Sequence, residues 1–200
     1  MASVLPFDEL NMFNTQIRER YGTQPLDTKD EEDIIDELFD LFLLAYDRGN
    51  TETIKSLEYL FDRPQGISRT QAKPIRFKPT LEDVLKVVDK EVAGKTWKDR
   101  AKEYFDQGGT ADDIVRIAET ETHRIANTAA LATAKKAGAT NKTWMTMMDD
   151  RVRSTHDYLL GQTVSIDDDF YTYDGDHASA PGLFELAENN VNCRCELIFS

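Results

Sequence analysis

The chain has 200 residues, 40% of them hydrophobic and 30% charged, which is typical of a folded protein rather than a disordered one. Its net charge of −13 argues against general DNA binding, because contacts with phosphates depend on lysine and arginine. No apolar run approaches the roughly 20 residues that span a bilayer, and the start lacks the pattern of a signal peptide. Neither a membrane segment nor secretion is therefore expected.

The N-terminal part of the chain is predicted to form three helices. The first covers 7–21, where apolar residues recur at helical spacing. The second covers 30–48 and opens with acidic residues, as helix N-termini favour. Gly49 and Asn50 are predicted to end it, because both residue types commonly interrupt helices. The third helix is then predicted over 51–61.

The second of these helices is apolar nearly all round, so it needs cover on several sides. The core of a small N-terminal bundle would supply that cover, and so would another protein chain. Phe39, Phe42 and Leu43 are accordingly candidate partner-binding residues. Residues 1–62 carry a net charge of −10, which serves solubility and excludes nucleic acid, and a partner with a basic surface is the alternative interpretation.

Residues 63–80 interrupt the helical pattern with three prolines, one glycine and five basic residues. A basic, proline-rich linker is the favoured interpretation, and weak contact with nucleic acid through its charges is the alternative. The predicted division is a helical arm or bundle over 1–62, a linker over 63–80 and a C-terminal domain over 81–200.

The C-terminal domain opens with three predicted helices. Thr80 caps one that runs to about residue 93, and another covers 96–106. The longest covers 111–137, where alanine is abundant, and Gly138 ends it.

A further helix is predicted over 144–160, ended by Gly161. Its apolar stripe consists of Trp144, Met148, Val152, Thr155 and Leu159. Asp149, Arg153 and His156 project from an adjacent face, within reach of one another. Such a cluster could bind an anion, perform acid–base chemistry or lock the helix to a sheet.

Two short strands, at 164–166 and 193–199, alternate apolar and polar residues and are predicted to pair. The predicted fold class is α+β: a mainly helical body with a small C-terminal antiparallel β-sheet packed on a helix, the one at 144–160.

Cys193 and Cys195 are too close in sequence for an ordinary unstrained disulfide. On a strand, both would face the same side, where His156 and either His177 or Asp149 could complete a tetrahedral zinc site. The alternative is a pair of buried free thiols that pack as small apolar groups. No cofactor is required by the sequence, and zinc is the one candidate.

An acidic stretch over 167–176 lacks the order of calcium ligands in an EF-hand and is predicted to be a solvated loop. The sequence contains no P-loop, dinucleotide fingerprint, H-E-x-x-H or G-x-S-x-G motif, which removes the easily recognised nucleotide-binding and hydrolase classes.

Several motifs occur in one ordered series. D-x-R-V-R-x-x-H at 149–156 is followed by L-x-G-x-x-V, by an acidic residue before Phe170, and by N-C-R-C at 192–195. Upstream, I-A-E-T-E resembles a helix that usually reads I-A-R-T-E, with Glu119 at the basic position. The series resembles the phage Mu F-like family of minor head, or head morphogenesis, proteins. Its structural motif residues here are Trp144, Asp149, Arg151, Arg153, His156, Gly161, Phe170, Asn192, Cys193 and Cys195.

The resemblance implies a structural, non-enzymatic component of a tailed phage or prophage. It implies a place at the portal or in the head interior of the virion, and in the host cytoplasm during assembly. Expected partners are the portal protein, the major capsid protein or a scaffolding protein, and DNA delivery is a further expected role. The alternative is a metal-assisted hydrolase or toxin-like domain that uses Asp149, His156, Cys193 and Cys195.

Overall fold

The computed structural model describes residues 4–61, 79–92 and 94–200. Within these residues the α-helices are α1 Phe7–Tyr21, α2 Glu31–Phe61, α3 Leu81–Val88, α4 Trp97–Asp106, α5 Ala111–Ala137, α6 Ser154–Asp157 and α7 Ala187–Asn190. The strands are β1 Asn141–Met145, β2 Thr163–Ser165, β3 Phe170–Tyr171, β4 His177–Ala178 and β5 Glu196–Phe199. The predicted α+β class, with a helical body and a small C-terminal antiparallel sheet, is confirmed. No helix in the described part of the chain is long and apolar enough to cross a membrane.

Local signals placed several helix ends correctly. α1 and α5 have the predicted bounds, and α5 ends at Gly138 in the left-handed conformation with φ of 86°. Helices α3, α4 and α5 each begin at a threonine whose backbone N–H donates to the aspartate three residues later. α3 is shorter than predicted, because its C-cap is Asp89.

The predicted interruption at Gly49 and Asn50 is wrong, because α2 runs unbroken from Glu31 to Phe61. Gly49 lies where α2 crosses α5. A Cβ atom there would lie 3.1 Å from the carbonyl carbon of Ala126 and nearer still to its oxygen. Asn50 accepts a hydrogen bond from the Thr133 hydroxyl on α5. Both residues therefore serve the close approach of two helices.

One hydrophobic core contains residues from the helices before and after the predicted linker, with α5 at its centre. The ring of Phe42 on α2, for example, lies edge-on to Trp97 on α4 with centroids 5.0 Å apart. Most of the predicted linker lies in residues 62–78, outside the described part of the chain, so the division of the chain at that point stays a prediction.

The candidate partner-binding residues differ in exposure. Phe42 is completely buried in this core, so it packs the protein's own helices rather than the surface of a partner. Phe39 and Leu43 are half-buried on the flank of α2 and remain candidates.

The helix predicted over 144–160 is wrong. Trp144 lies in β1, where buried and half-buried residues alternate, and Met148 has a positive φ of 53°. Only Ser154–Asp157 is helical in this region. The apolar spacing suited a helix, but strands on both sides of β1 satisfy its backbone hydrogen bonds.

The three-stranded sheet has the order β2-β1-β5, with antiparallel pairs throughout. The predicted pairing of the strands at 164–166 and 193–199 is therefore wrong, because β1 lies between them. The sheet contacts α5 through β5, so α5, not a helix at 144–160, is the helix that supports it. β3 and β4 form a separate two-stranded pair.

Candidate functional site

Two segments that are distant in sequence meet beside the sheet: the stretch after β1 and the stretch that leads into β5. His156 Nδ1 lies 3.4 Å from the sulfur of Cys195 and 3.6 Å from that of Cys193. All three residues are at least 97% buried, with exposures of 2%, 3% and 3%. Among the described residues, these three form a group whose potential ligand atoms all lie within 4.8 Å of one another.

Asp149 and Arg153 of D-x-R-V-R-x-x-H also contact N-C-R-C or the residues just before it. Both oxygens of Asp149 accept hydrogen bonds of 2.7 Å from Arg194. Arg153 donates to the backbone carbonyls of Asn189, at 3.3 Å, and Val191, at 2.7 Å. The predicted mutual cluster of Asp149, Arg153 and His156 is therefore wrong, because without a helix each side chain has its own partner in the second segment.

Aromatic rings fix the orientation of the imidazole. The ring of His156 stacks on Phe184 with centroids 5.2 Å apart and lies edge-on to Trp144 at 5.6 Å. Trp144 in turn packs edge-on to Phe170 at 5.2 Å. His156 Nε2 is buried and has no hydrogen-bond partner among the described residues, whereas Nδ1 faces the sulfurs.

The two thiols affect one another strongly. A hydrogen bond from Cys195, reinforced by His156, holds the pKa of Cys193 well below its ordinary value in spite of burial. The pKa of Cys195 is raised by the adjacent Cys193 and by burial. The two thiols therefore do not ionise independently, and a cation close to the sulfurs would favour the thiolate form of both.

Polar residues of α5 position the cysteine segment. Asn127 donates to the backbone carbonyl of Cys195 at 3.0 Å, and Thr120 accepts from the backbone N–H of Asn192 at 3.1 Å. Asn192 has a φ of 55°, a left-handed conformation that asparagine adopts more easily than most residues. Sequence reasoning missed Thr120 and Asn127, although polar residues inside an alanine-rich helix were a usable signal.

The same helix carries a buried ion pair that sequence reasoning also missed. Arg124 donates to Glu121 at 2.6 Å, and both side chains are 1% exposed. Arg124 also donates to the carbonyls of Val87 and Val88, at 2.8 and 3.0 Å, which satisfies acceptors at the end of α3. Arg100 contributes a second cation to Glu121 at 2.5 Å.

Asp176 belongs to the acidic stretch predicted to be solvated, but it is 6% exposed. Its carboxylate accepts hydrogen bonds from the backbone of His177, Glu185 and Leu186 and from the side chain of Asn189. This carboxylate therefore organises the loop that leads to the cysteines.

The remaining motif residues have structural positions. Gly161 has a φ of 75°, and its backbone N–H donates to the Trp144 carbonyl at 2.9 Å. Arg151 is exposed. Neither expected fourth ligand joins the cysteines, since His177 contacts Asp169 at 3.2 Å and Asp149 is bound by Arg194.

These features define a class of protein in which a helical core supports a small terminal sheet and two separated motifs contact one another around a histidine and two cysteines. Residues 82–198 match the family model described as Phage Mu protein F like protein. This chain belongs to that family.

Two curated relatives are similar over part of their length. Minor head protein GP7 of Bacillus phage SPP1 is 34% identical over 85 residues, which are 41% of this chain and 28% of that protein. The NAD(+)--arginine ADP-ribosyltransferase EFV of Enterococcus faecalis (strain ATCC 700802 / V583) is 36% identical over 88 residues, 42% of this chain and 18% of that protein. The chain thus spans less than a third of either relative. No solved structure gives a match.

Proposed function

We propose that the protein is a structural component of the head of a tailed phage or prophage, and that it acts at the portal or the inner capsid surface during assembly. Family membership over residues 82–198, together with the similarity to a minor head protein, carries this proposal. The proposed location is the host cytoplasm during assembly and the virion afterwards. Guidance or delivery of DNA is part of the same proposal.

The contacts of the family motifs support a binding role rather than a catalytic one. The polar groups of Asp149 and Arg153 already have partners within the protein, namely Arg194 and two backbone carbonyls, as expected of groups that hold two segments together. The alternative hydrolase needs Asp149 beside His156 and the cysteines, but its carboxylate lies outside their group of ligand atoms. The similarity to an ADP-ribosyltransferase covers 18% of that enzyme and favours no particular reaction for this chain.

The exposed face of α2 is the surface that best fits a partner. Asp33, Asp36, Asp40 and Asp47 are exposed and recur at spacings of three, four and seven, which place them on one side of the helix. Leu44 on the same side is 36% exposed, with the half-buried Phe39 and Leu43 beside it. A face that combines negative charge with apolar area is complementary to a basic surface with apolar pockets. The proposed occupant is the portal protein.

Charge reversal on α2 tests this surface in the full-length chain. The variant changes Asp33, Asp36, Asp40 and Asp47 to lysine, and the matched control changes Asp150, Asp157, Asp168 and Glu188, which are exposed in the C-terminal region. Both variants alter the net charge equally. A truncation before residue 78 is unsuitable, because it removes the part of the core that α1 and α2 supply.

Each variant is co-expressed with the portal, scaffolding and major capsid proteins, and its presence in sedimented particles is measured. The α2 variant should be lost from particles while the control is retained, with both folded by circular dichroism. Normal incorporation of the α2 variant would show that this face is not the contact. Loss of binding to purified capsid or scaffolding protein, with portal binding intact, would reject the portal as the partner.

The basic segment 63–80 remains a candidate for weak contact with nucleic acid and lies mostly outside the described residues. Binding through it should fall steeply with salt and disappear when Arg69, Lys73, Arg76 and Lys78 are neutralised.

A further inference from the structure

The histidine and the two cysteines beside β5 have a geometry that can be compared with a metal site. In a tetrahedral zinc site with Zn–S of about 2.3 Å and Zn–N of about 2.0–2.1 Å, a sulfur and a nitrogen ligand lie about 3.5–3.6 Å apart. His156 Nδ1 lies 3.4 and 3.6 Å from the two sulfurs. The two nitrogen–sulfur separations therefore already match tetrahedral edges, and the two sulfurs lie within 4.8 Å of one another.

The surroundings hold these ligands in place without using their coordinating atoms. The imidazole is fixed by Phe184 and Trp144, and the backbone of Cys195 is fixed by Asn127. The cysteines form no disulfide, so both sulfurs are free to coordinate. Preorganisation of this kind lowers the cost of assembling a metal site.

The chemistry of the donor set selects the metal. Two thiolates and a neutral imidazole are ligands that zinc prefers, and two thiolates neutralise a divalent ion in a buried site. A cavity of about 10 Å³ adjoins the ligands and is lined in part by Met147, Arg151 and Asn192. Such a space is close to the minimum that one water molecule needs.

We propose that His156 Nδ1 and the sulfurs of Cys193 and Cys195 bind one zinc ion, and that a water molecule in the adjoining cavity completes its coordination. The ion joins α6 to the segment before β5, two parts of the chain separated by 37 and 39 residues. It acts as a cross-link within the C-terminal module. This inference is independent of the proposed head function, and its test contains no assembly step.

The full-length chain is purified under reducing conditions without chelator, and its metal content is measured by elemental analysis. About one zinc ion per chain is expected, and it should be lost in Cys193→Ser and Cys195→Ser. His177→Ala is the matched control, because His177 lies on β4 and pairs with Asp169. The control should retain zinc. Chelation should lower the melting temperature of the wild type and leave that of the serine variants unchanged.

A second measurement does not require the variants to fold. X-ray absorption of the wild-type zinc protein should show two sulfur ligands with one nitrogen and one oxygen, and cadmium substitution should produce thiolate charge-transfer absorption. The proposal is overturned if the reduced chain, supplied with zinc and dialysed, retains none. It is equally overturned if retained zinc has no sulfur ligands, or if His177→Ala removes it while the cysteine variants do not.

Discussion

The crossing of α2 and α5 predicts that Gly49→Ala destabilises the protein, whereas helix propensity alone predicts that it stabilises it. Gly49→Ala should stabilise an exposed helix interior by about 0.5–1 kcal/mol, because alanine loses less backbone entropy than glycine. At Gly49, however, the new Cβ would lie 3.1 Å from two backbone atoms of Ala126 and nearer still to its carbonyl oxygen. The obstacle is the backbone of α5, which no change of rotamer can move.

Relief therefore requires the two longest helices to move apart, which loosens the core on both sides of the crossing. Overpacking of this kind costs about 1–3 kcal/mol, and a contact with backbone favours the upper end. After the gain in propensity is subtracted, Gly49→Ala should destabilise the protein by about 1–2 kcal/mol. For a chain of this size, that corresponds to a melting temperature roughly 2–8 °C lower.

Urea denaturation and calorimetry measure this effect, and Asp47→Ala provides the control because Asp47 is exposed on the same helix. The control should lie within about 0.5 kcal/mol of the wild type. Ala126→Gly should not rescue Gly49→Ala, because the obstructing atoms belong to the backbone. A Gly49→Ala protein as stable as the wild type would refute the proposed contact.

Three further changes test other parts of the structure. Arg124→Met should lower the free energy of unfolding, measured by urea denaturation, by about 3–5 kcal/mol, because it removes a buried partner of Glu121 and the donor to two carbonyls. Arg18→Met, at an exposed ion pair, is the control and should lower it by less than about 1 kcal/mol. Equal losses in the two variants would contradict the buried role of Arg124. Arg194 holds the pKa of Asp149 below its ordinary 3.8, so this pair stabilises the fold at neutral pH and its contribution is lost as the pH falls through the lowered value. The difference in urea midpoint between the wild type and Asp149→Asn should accordingly shrink below pH 3.8, and a difference that does not vary with pH argues against the pair. Burial lowers the pKa of Lys142 from 10.5 to about 8, so the unfolded chain binds this proton more tightly than the folded chain does. As the pH rises from about 8 to 10.5, the free energy of unfolding of the wild type should therefore increase relative to that of Lys142→Met. Parallel plots of unfolding free energy against pH for the two proteins would exclude this linkage.

The contacts between the two motifs explain why family residues far apart in the chain belong to one unit. Asp149, Arg153 and His156 each contact a different group in the segment 189–195. Loss of one contact leaves the others in place, so single substitutions on the surface, such as at Asp149, should be milder than substitutions at the buried histidine.

The sequence by itself determined the elements whose signals are local. The capping residue Thr80, the terminating Gly138, the apolar periodicity of α1 and the alanine content of α5 lie within or beside the segments they define, so the positions of these helices followed from neighbouring residues. The convergence of His156 with Cys193 and Cys195 was also expected, although the route to it was wrong, since no long helix carries His156 and the cysteines precede β5 instead of lying in it.

Only the tertiary structure decided the features that depend on distant partners. Trp144 is in a strand because β2 and β5 supply hydrogen bonds on both sides of β1, and Gly49 continues a helix because α5 passes close to it. Arg124 is buried because two backbone carbonyls at the end of α3, 36 and 37 residues away, accept its hydrogen bonds. A local sequence pattern indicates which secondary structure a residue prefers, whereas its burial and strand pairing depend on which distant segments pack against it.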